Sequence, residues 1–412
     1  MSLDLTPVEV AARLRHLPGL VFFDSAREGA ENGQLSIIAA RPVTVLDGHL
    51  DHDRTELESE LRKRQTALGA DDGMPRGFAA GWVEYDGAFC FGIYEEALIF
   101  CHAAHRWYEL GELRNELREP DPIACAEPLR FSSRMDRERY LGMVVRAQEY
   151  IAAGDIYQVN LAHRLIAGWS GDPFAFYQAL RHYSPAPQAA FLDLGGRQIL
   201  SSSPETFLKI SGRTIQTRPI KGTRPRKEDP KADEKSAYDL ITSAKEIAEL
   251  VMITDLERND LGQICDYGSV VVRELLKLER HEQVFHLVST VTGSLRPEID
   301  HFTALRACFP GGSITGAPKH RAREIIAELE PERRGLYTGS IGWFGFNGES
   351  RFNLAIRTVV IEGNSAQFHV GAGIVADSNP AREWQETLQK ASGILLAAER
   401  FGEKVDALRR PA

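Results

Sequence analysis

Short runs of alternating apolar and polar residues dominate the first part of the chain, and such period-two runs mark half-buried strands. They predict strands at 20–24, 35–39, 77–85 and 97–102 behind a short helix at 7–17. Near residue 136 the period changes. Tyr140, Leu141, Val144 and Ala147 share one face of a 136–153 helix that stops at Gly154. A strand at 157–167, a helix at 173–182 and strands at 189–194 and 198–203 follow. The 231–253 segment reads as one long helix with Tyr238, Ile241, Ala244, Ala248 and Val251 as its core stripe. Strands at 269–278 and 284–292 lead to a helix at 301–308 and a glycine-rich turn, after which Pro318 opens a 319–329 helix where its missing N–H costs nothing. A hairpin at 338–346 and 351–362, a turn at Gly363-Asn364 and a strand at 367–374 precede a last helix, capped by Asn379 and opened by Pro380, that runs to about residue 401. Strands joined by hairpins rather than crossover helices imply an α+β class with large antiparallel sheets enclosed by helices. The Glu119-Pro120-Asp121-Pro122 stretch reads as a linker, dividing an N-terminal β-rich region, 1–128, from a second part, 129–406, on which it packs.

One stretch carries two reactive side chains. Residues 198–210 and 214–221 read as two strands joined at Ser211-Gly212-Arg213, with Glu205 and Lys221 sixteen residues apart. A three-residue loop would make them diagonal neighbours on one face, roughly 7–8 Å apart. A two-residue loop would send them to opposite faces. A carboxyl able to protonate a leaving group beside an amine able to attack carbon is an acid and nucleophile pair. An ordinary cross-strand ion pair is the competing reading.

Composition narrows the class. With 412 residues and 43% apolar content the chain can bury a sizeable core, in two domains or one large one. A net charge of −9 with both signs interspersed argues against nucleic acid as a partner. The amino terminus holds Asp4 and Glu9 and lacks an apolar core, so it does not read as a signal peptide, and no apolar run reaches membrane-spanning length. Cys90, Cys101, Cys125, Cys265 and Cys308 are odd in number, scattered and never in a C-x-x-C pair, which fits a reducing cytoplasm. The expectation is a cytoplasmic protein with no membrane partner.

Glu246 and Glu249 are three apart on the 231–253 helix, and Glu383 and Glu386 are three apart on the last one, so each pair projects from one helical face. Four carboxylates brought together repel, and a hard divalent cation such as Mg²⁺ is the usual remedy; solvated surface pairs are the alternative. The turn GGSITGAP before a helix can present backbone N–H groups to an anion, or simply cap that helix. Lys221-Gly222-Thr223 and Gly371-Ala372-Gly373 allow a ligand close to the backbone. Arg357, in a strand of apolar neighbours, needs a carboxylate from the protein or from a ligand. His286 and Tyr337, each taken singly, read first as satisfied core residues and otherwise as site residues.

Nine segments taken together carry a resemblance: DIYQVNLAHR (155–164), SSPETFLKI (202–210), TRPIKGTRPR (217–226), KEIAELVMITDLERNDLG (245–262), FHLVSTVTG (285–293), PGGSITGAPK (310–319), YTGSIGWFGF (337–346), NLAIRT (353–358) and GAGIVADSNPAREWQETLQKA (371–391). In this order they resemble the chorismate-utilising enzymes, a family that includes the component I chains of anthranilate and aminodeoxychorismate synthase, isochorismate synthase and salicylate synthase. The resemblance covers about residues 130 to 400 and implies an α+β unit of antiparallel sheets enclosed by helices.

By motif, the resemblance implies that Glu205 is the general acid for the departing 4-hydroxyl of chorismate. It implies a Mg²⁺ site from Glu246, Glu249, Glu383 and Glu386, with Glu249 and Glu386 as direct ligands and the metal holding the ring carboxylate. Gly222 and Thr223 would meet that carboxylate. Tyr337, Arg357, Gly371 and Lys390 would hold the enolpyruvyl carboxylate or its surroundings, and His286 would lie against the ring. Relatives that use water as nucleophile place a lysine base where this chain has Gln158. Anthranilate synthases share that glutamine but read PIAGT where this chain reads Pro219-Ile220-Lys221-Gly222-Thr223; the aminodeoxychorismate branch reads PIKGT. The resemblance therefore implies that Lys221 adds to C2 and that ammonia displaces it at C4, with anthranilate formation as the alternative. No G-x-C-x-G element is present, so a separate glutamine amidotransferase subunit, or free ammonia, is the expected nitrogen source.

Overall fold

A computed structural model describes residues 3–25, 35–66, 73–120, 127–281 and 284–402. Cys125 and the Asp121-Pro122 end of the expected linker lie outside the described residues. Among those described, the strands form two antiparallel sheets, one of eleven strands and one of ten, with helices packed on their outer faces. The α+β expectation of large antiparallel sheets enclosed by helices is what the structure shows. Strands from before and after residue 128 enter each sheet: Val21–Asp24 pairs Gln188–Leu194 in the larger, and Phe78–Val83 pairs Ser340–Gly345 in the smaller.

The inner faces of the sheets meet in an apolar layer that includes Val21, Ile37, Phe78, Trp82, Ala190 and Trp343. Each fully buried large side chain there contributes on the order of 2 kcal/mol. Outside the larger sheet, the Pro173–Tyr183 and Pro380–Glu399 helices close a second core through Phe174, Tyr177, Phe191 and Ile394. Among the described residues no helix is long and apolar enough to cross a membrane.

Two long strands expected from the sequence are each cut in two. The 198–210 run leaves the larger sheet after Ser203 and enters the smaller one at Thr206. Pro204 marks the break, because it has no N–H for a ladder. The 351–362 run crosses the opposite way: Glu349–Leu354 belongs to the smaller sheet and Thr358–Glu362 to the larger. Arg357 sits in this second crossing with φ +49°, a left-handed conformation rare for side-chain-bearing residues. The crossings lie side by side. The N–H of Ser202 donates to the Arg357 carbonyl at 3.0 Å, and the N–H of Leu354 donates to the Glu205 carbonyl at 3.2 Å.

Of the two loop lengths open to the sequence, the two-residue one forms, since Ser211 pairs with Thr214. A bulge between Thr206 and Lys209 then shifts the register, so that Thr206 faces Arg218. Pro219 ends that strand. Lys221 lies on the next, Ile220–Pro225, which pairs with Val284–Ser294 instead of Thr206–Ser211. Glu205 and Lys221 are therefore not ladder neighbours, and what brings them together is described below.

The expected 231–253 helix is two helices, Pro230–Ile241 and Ala244–Gly262. Ser243 starts the second by accepting from the N–H of Glu246 at 3.4 Å. The break turns the expected stripe outward: Tyr238, Ile241, Ala244, Ala248 and Val251 are all exposed, while Ala237, Leu240, Leu250 and Ile253 are buried. The Ala244–Gly262 helix packs on Val284–Ser294 of the smaller sheet, and Pro380–Glu399 packs on Ser365–Ile374 of the larger.

Candidate active site

Where the crossings meet the two helices, the structure encloses a cavity of about 400 Å³. Of the residues singled out from the sequence, Glu205, Lys221, Gly222, Thr223, Glu246, Glu249, His286, Tyr337, Arg357, Gly371, Glu386 and Lys390 line it. Gln158 and Glu383 stand behind its wall. The Gln158 amide fills the space that a Cβ on Gly373 would need, and Gly373 is a lining residue.

Glu205 is 5% exposed. Its Oε1 accepts from the Ser313 hydroxyl at 2.8 Å and from the N–H of Ile220 at 3.4 Å. Burial raises its pKa above the ordinary carboxylate value, against the opposing pull of Lys221, Ser313, Ile220 and Lys390. A buried carboxyl so placed is inclined to hold its proton. Lys221 donates from Nζ to the Ser313 carbonyl at 3.0 Å. The glycine-rich turn thus contributes one hydroxyl and one carbonyl, through a serine that nothing in the sequence singled out from its neighbours.

Gly222 has φ +74°, and a Cβ there would come within 2.6 Å of Leu240 Cδ1 and 3.0 Å of Glu246 Oε2. Only glycine lets this backbone pass so close to the helix. The Thr223 hydroxyl and His286 Nδ1 are 3.0 Å apart. On the far side, the Tyr337 ring stacks on His369 at 5.3 Å, and a Cβ at Gly371 would come within 2.7 Å of the Tyr337 hydroxyl. His369 is buried, and burial with the nearby Arg334 and Arg164 lowers its pKa to about 3, so its ring is neutral. Lys390 Nζ donates to the Gly371 carbonyl at 3.0 Å and pairs with Glu386 Oε1 at 2.8 Å.

The acidic pairs face each other across the two helices. Burial, with Glu246 and Glu386 nearby, holds the Glu249 carboxyl above its usual range despite Lys221 and Lys245. Burial acts on Glu386 in the same sense, but Lys390, Lys245 and Lys221 outweigh it and leave that carboxyl low. Glu383 accepts from the Ser378 hydroxyl at 2.8 Å through Oε1, while its buried Oε2 has no hydrogen-bond partner among the described residues. Lys245, which sequence reasoning misses, lies 3.4 Å from Glu383 and 3.9 Å from Glu249. The signal that could have found it is the four-residue spacing to Glu249. Among the described residues no three His, Cys, Asp or Glu side chains already close a metal site. Excess carboxylate and an orphaned acidic oxygen nonetheless fit Mg²⁺, which takes one or two protein carboxylates and fills its shell with water and substrate oxygens.

Cationic side chains at 221, 357 and 390 and acids at 246, 249 and 386 in one cavity suit a small molecule bearing more than one carboxylate. Fold and cavity together define an α+β protein with a polar pocket suited to such an anion. The chain belongs to the chorismate-binding enzyme family: the family model, described as chorismate binding enzyme, matches residues 56–396. It is 47% identical over 279 residues to anthranilate synthase component 1 of Synechocystis sp., covering 65% of this chain and 55% of that one. It is 45% identical over 269 residues to aminodeoxychorismate synthase component 1 of Bacillus subtilis, covering 65% and 57%. The matches thus span little more than half the length of these relatives. The crystal structure of anthranilate synthase component I from Streptococcus pneumoniae superposes with a TM-score of 0.78 at 30% identity, over 88% of this chain and 92% of that one.

Proposed function

We propose that the protein is the aminating component of an aminodeoxychorismate synthase, converting chorismate and ammonia to 4-amino-4-deoxychorismate for p-aminobenzoate and folate synthesis in the cytoplasm. The observation that carries this reading is the Lys221 amine in the cavity, tethered through Ser313 to the same turn as the buried Glu205. Burial inclines Glu205 to hold its proton, which makes it the acid of the pair, and the Lys221 amine is the nucleophile. Glu205 then protonates the 4-hydroxyl, which departs as water while the Lys221 amine bonds to C2 and both ring double bonds shift, from C1–C2 and C5–C6 to C1–C6 and C4–C5. Ammonia bonds to C4, both double bonds return and the Lys221 amine leaves from C2.

Gly222 and Thr223 would receive the ring carboxylate, Tyr337, Arg357, Gly371 and Lys390 the enolpyruvyl carboxylate, and His286 would pack on the ring. Gln158 stands where a water-activating base would be needed, and an amide cannot deprotonate water. Glu249 and Glu386 would hold Mg²⁺ with Glu246 and Glu383 around it, and the bound ion would supply Lewis-acid contact to the ring carboxylate. A glutamine amidotransferase subunit would deliver the ammonia.

Anthranilate synthase component I is the second reading, favoured by the names of the Synechocystis and Streptococcus relatives. Incubation of the purified chain with chorismate, ammonium and Mg²⁺ separates the two. We expect 4-amino-4-deoxychorismate with no pyruvate; fluorescent anthranilate with stoichiometric pyruvate would overturn the proposal.

A further inference from the structure

We propose that Lys245 is a built-in counter-ion that holds the two acidic helices together until a divalent cation displaces it. The inference rests on the Mg²⁺ reading of the four glutamates above. Lys245 stands in the first turn of the Ala244–Gly262 helix, and its Nζ reaches across to the Pro380–Glu399 helix. It lies 3.4 Å from Glu383 Oε1 and 3.9 Å from Glu249 Oε1, so one ammonium bridges an acid from each helix. Both contacts are loose for charged pairs, which close to about 2.7–2.9 Å when fully formed.

Glu383 shows what the ammonium leaves undone. Its side chain is 4% exposed. One oxygen takes the Ser378 hydroxyl and Lys245, while the other is buried with no hydrogen-bond partner among the described residues. An orphaned oxygen on a buried carboxylate is costly. It points to a second electrophile that the resident lysine cannot replace.

Lys245 is also free to yield. Its side chain is 38% exposed, and a four-carbon stem can swing an ammonium into water with little loss of packing. A divalent ion drawing on Glu249 and Glu386 would repel an ammonium held a few ångströms away. The two cations therefore compete, and the lysine weakens Mg²⁺ binding while stabilising the protein without it.

Calorimetric titration of the full chain with MgCl₂, without chorismate, tests this in wild type, Lys245→Gln, Lys245→Met and Lys245→Arg. We expect the two neutral variants to bind Mg²⁺ at least about tenfold more tightly than wild type, and the arginine variant to stay near wild type. In EDTA the neutral variants should melt below wild type, and Mg²⁺ should raise their Tm by more. Unchanged or weaker Mg²⁺ binding by both neutral variants, with wild type still binding, overturns the counter-ion role and leaves Lys245 a strut for Glu383. If wild type takes up no Mg²⁺ and matches a Glu249→Gln/Glu386→Gln variant, the metal reading itself fails and the counter-ion role falls with it.

Discussion

Ser313 holds Glu205 and Lys221 at once: its hydroxyl donates to Glu205 Oε1 at 2.8 Å, and its backbone carbonyl accepts from Lys221 Nζ at 3.0 Å. The acid contact belongs to the side chain and the amine contact to the main chain, so substitution separates them. The hydroxyl pulls the Glu205 pKa down. Ser313→Ala removes that pull, and Glu205 keeps its proton to higher pH. The alkaline limb of kcat/KM for chorismate should move upward, with kcat falling by about tenfold or less. A pH–rate profile checks both.

Glu205→Gln removes a transferable proton without changing shape. The expected loss in kcat is about 10²–10⁴-fold. Because burial raises the Glu205 pKa, ionising it in the folded protein is unfavourable. The glutamine variant should therefore melt at or above the wild-type temperature, as scanning calorimetry at pH 8 would show. Loss of activity with a lowered Tm would indicate a structural role instead.

Gly222→Ala meets two obstacles, a left-handed backbone and a Cβ pressed on Leu240 and Glu246. It should cost about 1–3 kcal/mol in urea unfolding. Pushing Glu246 aside should also raise KM for chorismate more than it lowers kcat.

Glu257 is buried, with its Oε2 accepting from the Thr217 hydroxyl at 2.6 Å. Burial raises its pKa from 4.5 to about 8. A raised folded-state pKa means that the stability contributed by protonated Glu257 is complete below pH 4.5 and is lost as pH rises through about 8. Glu257→Gln should thus stabilise the protein at pH 8 by a few kcal/mol and by nearly nothing at pH 4.5. Thermal melts of both proteins across that window give the answer.

Much of the scaffold is legible in the residues. The 35–39 strand and the 301–308 helix fall where the patterns end, at Leu35–Ala39 and His301–Cys308. The breaks are harder. Strand-forming residues flank Pro204 and Ala355-Ile356-Arg357 on both sides, so each stretch reads as one run. Which sheet it joins depends on distant partners, such as Thr358 for Ser201, 157 residues away. The break before Ala244 does leave a mark. A serine three residues ahead of a glutamate, Ser243 and Glu246, is a helix-start signal, and it is masked by an apolar stripe that faces solvent. Within the site, the cavity-facing acids, amine and glycines can be nominated from their motifs. Ser313 cannot, since its importance lies in which two side chains it touches. Lys245 is half legible: its spacing to Glu249 can be read, but its other partner, Glu383, arrives from a helix 138 residues later.

The paired crossings tie reaction geometry to the girth of the sandwich. Glu205 rides on one and Arg357 on the other, hydrogen-bonded through Ser202 and Leu354, so neither can shift without the layer between the sheets. Ala80 and Ala190, both fully buried there, act as spacers by being small. Enlarging either would pry the sheets apart and blunt turnover from well outside the cavity, with no chemical group touched.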